Sequence, residues 1–279
     1  MSVSITQFMS GTYKATGINL KAIPIGENDR LVTILSPEHG LIRAIVPGAR
    51  KSKSGMGGRS ALFMVNDLLI AKGRSLDRVT QAQTTISYGR LIGDLSKLAA
   101  SQYLAEIVLA QALADRPQSE LYQLLLLHLG RLNALDQGDN TGSIAHLCQG
   151  IFHLLALDGI APQVYDCCIT KQPIEPDFHT LHWHIGFSIE SGSAVEIRAA
   201  ADDPSVRIDY RLTALDLLLF QHLSDPNLDR LDVAIDKFSL DTISDLELAG
   251  VWRRIERILR QYIHAHLNIQ IRSAALIDL

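Results

Sequence analysis

Near residue 90 the spacing of apolar residues changes from strand-like runs to steps of three and four, which divides the chain into two unlike parts. Before the change, Leu31-Val32-Thr33-Ile34-Leu35 and Leu41-Ile42-Arg43-Ala44-Ile45-Val46 are rich in β-branched residues and read as strands. Between them Ser36-Pro37-Glu38-His39-Gly40 supplies a turn, with φ fixed at Pro37 and positive φ open to Gly40, so a hairpin is predicted. Pro47-Gly48 stops the second strand, a polar loop runs from Ala49 to Ser60, and Leu62–Ile70 and Val79–Ile86 are again strand-like. Several short strands joined by glycine-containing turns imply a small barrel or sandwich.

After the change, Leu91, Leu95, Leu98, Ala99, Tyr103, Ile107 and Ala110 predict an amphipathic helix. Pro117 interrupts it, and a second helix follows through Leu121, Leu124, Leu125, His128 and Leu132. A third, capped by Thr141 or Ser143, runs through Leu147, Ile151, Leu154 and Leu155 and ends at Gly159 and Pro162. Within residues 163–210, Leu181, Trp183, Ile185, Phe187 and Ile189 alternate with His182, His184, Gly186 and Ser188, a strand period. Ser191-Gly192 would turn this strand into a partner through Val195 and Ile197. Helical spacing resumes at Thr213–Leu223 and Glu247–Leu267. The predicted class is α+β: a β module over residues 1–82, then a mainly helical region over 83–279 with a β-containing insert at about 163–210.

The two parts differ in charge as well. Residues 1–80 hold 11 Lys/Arg and 5 Asp/Glu, net +6, whereas 81–279 hold 15 and 25, net −10, so the total of −4 conceals a basic module. Such asymmetry points to an anionic partner for one segment. With 47% hydrophobic and 20% charged residues the chain is globular in composition, not disordered, and no apolar run approaches the ~20 residues of a membrane span. Met1–Gly17 has its only base at Lys14 and no apolar core, unlike a secretory signal. Three cysteines, Cys148, Cys167 and Cys168, fit a reducing cytoplasm better than a disulfide framework.

The basic charge concentrates in His39–Asn66, which contains Arg43, Arg50, Lys51, Lys53 and Arg59 and no Asp or Glu. Ser52, Ser54, Gly55, Gly57 and Gly58 separate the bases and would leave backbone N–H groups accessible to phosphate. Lys72, Arg74 and Arg78 add cations after the next strand. Five cations each neutralising one phosphate of a single strand would give a log K against log salt slope of about −3.5. A triphosphate cradle is excluded by spacing: Gly58 is followed by Arg59-Ser60, and Gly48-Ala49-Arg50-Lys51 breaks the Walker pattern.

Other clusters carry less. Cys167-Cys168 with His179, His182 and His184 invites a metal, but spaced cysteine pairs are missing, and outward-facing polar positions on a hairpin account for the histidines. Leu248, Val251, Trp252, Ile255, Ile258, Leu259 and Tyr262 form the apolar stripe of the last long helix. Arg253, Arg257 and Arg260 share another face, with Arg254 nearby, and are expected to pair with acids of the net-negative half. His128, His146 and His153 lie in or beside apolar helical runs and read as core or rim residues. No Gly-x-Ser-x-Gly or His-Glu-x-x-His arrangement occurs, so no catalytic residues are assigned.

Gly17-Ile-Asn-Leu-Lys-Ala22, Gly26-Glu-Asn-Asp-Arg30, Thr33-Ile-Leu-Ser-Pro-Glu-His-Gly-Leu-Ile-Arg43 and Gly48-Ala-Arg-Lys-Ser-Lys-Ser54 together resemble the RecO family of bacterial DNA repair proteins. The resemblance continues through Tyr103-Leu-Ala-Glu106, Phe152–Pro162 and Leu267–Leu276, where Arg272-Ser273 and Leu276 resemble the family's closing motif. It implies an amino-terminal OB-fold, a helical carboxy-terminal domain and no catalytic site. It further implies a cytoplasmic, nucleoid-associated recombination mediator that binds single- and double-stranded DNA and anneals complementary strands. The expected partners are RecR, single-strand-binding protein and, indirectly, the RecA filament, with no membrane, cofactor or small-molecule substrate. Arg43, Arg50, Lys51, Lys53, Arg59, Lys72 and Arg74 are then the expected DNA contacts. Many members carry a four-cysteine zinc motif in the region matching 163–198. Cys167 fits its first position, but Thr170 stands at the second and no cysteine follows, so no metal is expected. Two rival readings remain at this level: a protein-interaction adaptor, and a metal-dependent hydrolase using a His182/His184 face.

Overall fold

The computed structural model describes residues 11–52, 54–228 and 243–277. Its first part is a closed five-stranded barrel of β1 (Thr12–Ile25), β2 (Asp29–Ser36), β3 (Gly40–Val46), β4 (Met64–Ala71) and β5 (Asp77–Ser87), in the order β1-β2-β3-β5-β4. All neighbours are antiparallel except β3 and β5, which pair in parallel through Ala44–Asp77 and Ile45–Arg78. A short helix, α1 (Met56–Arg59), lies between β3 and β4. This is the Greek-key barrel arrangement expected of an OB-fold.

β1 was not resolved as a separate strand by sequence pattern, and its geometry explains why. Its first half pairs with β4 and its second half with β2, and the register slips between Asn19 and Lys21. The bulge breaks the alternation on which strand recognition depends. At Gly17 the strand approaches β2 so closely that a Cβ would lie 2.4 Å from Ile34 Cγ2, which leaves glycine as the residue that fits. Inward-facing Ala15, Val32, Ile34, Ile42, Ala44, Val46, Leu68, Ile70 and Val79 fill the barrel.

The predicted β2–β3 hairpin is present. Gly40 adopts φ +67°, and the tip is bound by residues that return later in the chain: Leu41 N donates to Leu113 O at 3.0 Å and Gln118 N to Pro37 O at 2.9 Å. Residues 111–126 accordingly form one compact unit with residues 1–89.

The second compact unit, residues 90–110 and 127–279, is mainly helical. Among the described residues from 89 onward the helices are α2 (Gly89–Ile92), α3 (Leu95–Gln111), α4 (Ser119–Ala134), α5 (Asn140–Leu157), α6 (Ile197–Asp202), α7 (Ala214–His222), α8 (Asp245–Leu267) and α9 (Ala274–Ile277). The cap of α5 is Asp139, which accepts from Gly142 N, rather than Thr141 or Ser143, because the chain is already helical at those positions. α5 ends at Leu157, followed by Gly159 with φ +73° and then Pro162, as its sequence requires. The predicted stripe of α8 is buried at Val251, Trp252, Ile255, Ile258, Leu259 and Tyr262, while Leu248 is half-buried.

The insert holds a three-stranded sheet in the order β7-β6-β8: β6 (His184–Ser188), β7 (Ser193–Val195) and β8 (Tyr210–Thr213). β6 starts at His184, not at Leu181. His182 adopts φ +59° in the preceding turn, and its carbonyl meets His184 Nδ1 at 2.8 Å. The expected shared strand face for His182 and His184 is therefore not formed.

Candidate nucleic-acid interface

The outward side chains of β1, β2 and β3 lie in register rows across the barrel. Lys21 pairs with Thr33 and Thr33 with Arg43, which places two exposed cations on either side of a threonine. The next row toward the β1–β2 turn is Ile23, Leu31, Ile45 and Arg78, formed by successive pairings of β1, β2, β3 and β5. Ile23 is 42% exposed. Cations beside the exposed Ile23 and half-buried Ile45 suit a strand whose phosphates and bases lie side by side.

Two loops border this face. The β4–β5 loop carries Lys72 and Arg74, both exposed. Lys72 N donates to Gly11 O and Gly73 N to Asp77 Oδ1, each at 3.0 Å. The Tyr13 hydroxyl donates to the other oxygen of Asp77, and burial, followed by that bond, pushes its pKa far above the ordinary phenol value. Since Asp77 pairs with Ala44, the exit of this loop abuts the strand at the residue after Arg43. Arg43, Lys72 and Arg74 thus belong to one end of the face.

The loop after β3 borders the opposite end. Gly48 N donates to Asp29 Oδ1 at 2.8 Å, Arg50 N to Asn28 O at 2.9 Å and Arg50 Nη1 to Gly26 O at 2.9 Å, which ties the loop to the β1–β2 turn. Arg50 and Lys51 remain exposed. Some of the N–H groups expected to be accessible are occupied. Lys51 N, Ser54 N and Gly57 N donate to Gly48 O, Lys51 O and Ser54 O in successive turns. The amides of Ser54 and Gly57 thus serve the turns, and the exposed side chains of Arg50 and Lys51 are what the loop offers beside them. Lys53 lies outside the described residues.

Arg59 occupies a different place. Its carbonyl accepts from Asn19 Nδ2 at 2.8 Å and Asn66 Nδ2 at 3.0 Å, both from side chains withdrawn from water. Arg30 Nη1 adds bonds to Gly57 O and Ser60 Oγ at 3.0 and 3.1 Å. So fixed, Arg59 lines a groove of about 1000 Å³ with Lys14 and Thr16 of β1, Asp67 of β4 and Thr80, Gln81 and Gln83 of β5. The structure therefore brings Arg43, Arg50, Lys51, Lys72 and Arg74 around the β2–β3 face and places Arg59 beside β1, β4 and β5. Lys21 was missed by sequence reasoning; recognition of β1 and its bulge would have put it in register with Arg43.

The insert does not fit a metal. Cys167 is buried, its Sγ accepts from Thr170 N at 3.5 Å and Glu196 N at 3.3 Å, and among the described residues no group of three or more His, Cys, Asp or Glu is placed to hold an ion. The hydrolase reading loses its proposed ligand face with His182.

The family described as Recombination protein O N terminal matches residues 9–88, and that described as Recombination protein O C terminal matches residues 92–275. The DNA repair protein RecO of Nostoc sp. is 49% identical, over 97% of this chain and 96% of that protein. The DNA repair protein RecO of Gloeothece citriformis is also 49% identical, over 97% and 98%, and that of Synechocystis sp. is 42% identical, over 97% of each.

Proposed function

The chain belongs to the RecO family of DNA repair proteins, and from that membership we propose that it acts without catalysis as a recombination mediator. In this reading the barrel unit, residues 1–89 with 111–126, is the DNA-binding module and the mainly helical unit a module for partners. The protein binds single- and double-stranded DNA, anneals complementary strands, and works with RecR to load RecA on strands coated with single-strand-binding protein. Its place is the cytoplasm, on the nucleoid.

The observation that carries this reading is the in-register row Lys21–Thr33–Arg43, bordered by loops bearing Lys72 and Arg74 at one end and Arg50 and Lys51 at the other. Phosphates meet these cations, and the groups that position a strand carry no sequence information. Beside them the bases meet Ile23 and Ile45. Contacts of this kind do not engage base edges, which leaves them free to pair.

Binding of labelled single-stranded DNA across a salt series tests it. Arg43→Ala and Lys21→Ala should each weaken binding uniformly across homopolymers and reduce the salt slope by about 0.7. Combining Arg50→Ala, Lys51→Ala and Lys53→Ala should slow annealing of complementary strands. Unchanged affinity and slope in all of these variants would remove the face from DNA binding.

A further inference from the structure

From Arg253 to Leu267, α8 contains Arg253, Arg254, Arg257 and Arg260 and a single carboxylate, Glu256. The expected internal pairing holds for two of the four. Glu256 is 2% exposed and its Oε2 meets Arg260 Nη2 at 3.3 Å. Asp216, 1% exposed, receives Arg254 through Nε at 2.9 Å and Nη2 at 2.8 Å. Asp209, at the approach to β8, is taken by Arg207 at 3.1 Å. Arg253 and Arg257 are exposed and make no ion pair among the described residues.

Four positions apart, Arg253 and Arg257 share one helix face, with their α-carbons offset by about 6 Å along its axis. The same face holds Ala249 and Gly250 one turn earlier and Gln261 and His264 later, and no acid. At its edge the half-buried Tyr210 is within electrostatic reach of Arg257 and Arg260. Among the described residues no acid pairs with either arginine, although the sequence from residue 81 onward is net −10. Guanidinium is suited to bidentate phosphate contact, and the nearby acids are already engaged.

We propose that the Arg253–Arg257 face of α8 is a second phosphate-backbone site, which receives one strand of DNA while the barrel holds another. The proposal rests on the DNA-binding reading above and deepens it. Two strands held by one chain meet at an effective concentration set by the protein rather than by the solution. Annealing then gains rate with no chemical step.

The test counts short non-complementary oligonucleotides bound per full-length chain, beside annealing rates. The wild type should bind two, with different salt slopes. Arg253→Ala/Arg257→Ala should bind one, keep the barrel-site affinity, and anneal roughly tenfold more slowly. Arg257→Ala alone should lower the second-site slope by about 0.7. Both positions are exposed, so far-UV circular dichroism should match the wild type; Arg253→Gln/Arg257→Gln repeats the test with larger side chains. One oligonucleotide per wild-type chain, or two per double variant, would overturn the proposal. So would binding of a polyglutamate peptide that is lost in the variant while oligonucleotide stoichiometry is unchanged, which would assign the face to an acidic protein segment. A wild type that binds no DNA would instead refute the broader reading.

Discussion

His128 is 1% exposed, and its Nε2 lies 3.1 Å from Nδ1 of His153. Burial, then the neighbouring His153 and Arg131, bring its pKa from 6.5 down to about 3. The unfolded chain therefore takes up a proton that the folded chain refuses between those values. This contribution to stability is whole above pH 6.5 and falls as the solution is acidified toward pH 3. At pH 5 the loss from this one residue is about 2 kcal/mol. Urea midpoints at pH 7 and pH 5 should separate widely for the wild type and less for His128→Gln; equal separation would show that other groups set the acid sensitivity. The sequence reading of His128 as a core histidine was right, because an apolar helical run of that spacing has an inner side. Which atom satisfies a buried imidazole depends on a second helix, and the pairing with His153 is absent from local pattern. Arg50 teaches a similar lesson. Its residue type announced a phosphate contact, while its bond to the Gly26 carbonyl, which ties two loops together, appears only once the barrel closes.

At the scale of elements, the strands that were legible are those with unbroken runs of β-branched residues. β2 and β3 could be read with their turn. β1 could not, because Gly17, the bulge at Asn19/Lys21 and Pro24 break the pattern in a strand that serves two partners. β8 was missed because four residues, Tyr210 to Thr213, are too few to show a period. The candidate site suffered accordingly: its loop cations were visible, whereas the row across the strands required β1. The hairpin tip makes a testable element. A Cβ on Gly40 would lie 2.0 Å from Leu113 O and 2.5 Å from Arg116 O, in addition to the strain of φ +67°. Gly40→Ala should lower the melting temperature by several degrees through roughly 1–3 kcal/mol of strain and displaced contacts. It should also speed hydrogen exchange at the Leu41 amide, which the Leu113 carbonyl holds in the wild type. Wild-type exchange at that amide would mean that the tip is seated by other contacts.

For the whole molecule the net charge of −4 is the least informative quantity, since +6 and −10 divide between its two stretches of sequence. Exposed acids such as Glu175, Glu190 and Asp202 contribute to the negative potential of the later stretch, whose 25 acids outnumber its 15 bases. Their acidity would restrict polyanions to the arginine face of α8 and the basic face of the barrel. Changing all three to Lys should raise non-specific DNA affinity at low salt, an effect that fades as salt screens it; no increase would leave the acids a role in solubility alone. The return of residues 111–126 to the barrel unit has a consequence in time. As the chain leaves the ribosome, all five strands have been made by Ser87, yet the hairpin tip still lacks its bonds to Leu113 and Gln118, and the Tyr88 hydroxyl its bond to Leu126. The nascent barrel must wait for nearly forty further residues, about 2–8 s at ordinary elongation rates, before its last polar groups find their partners.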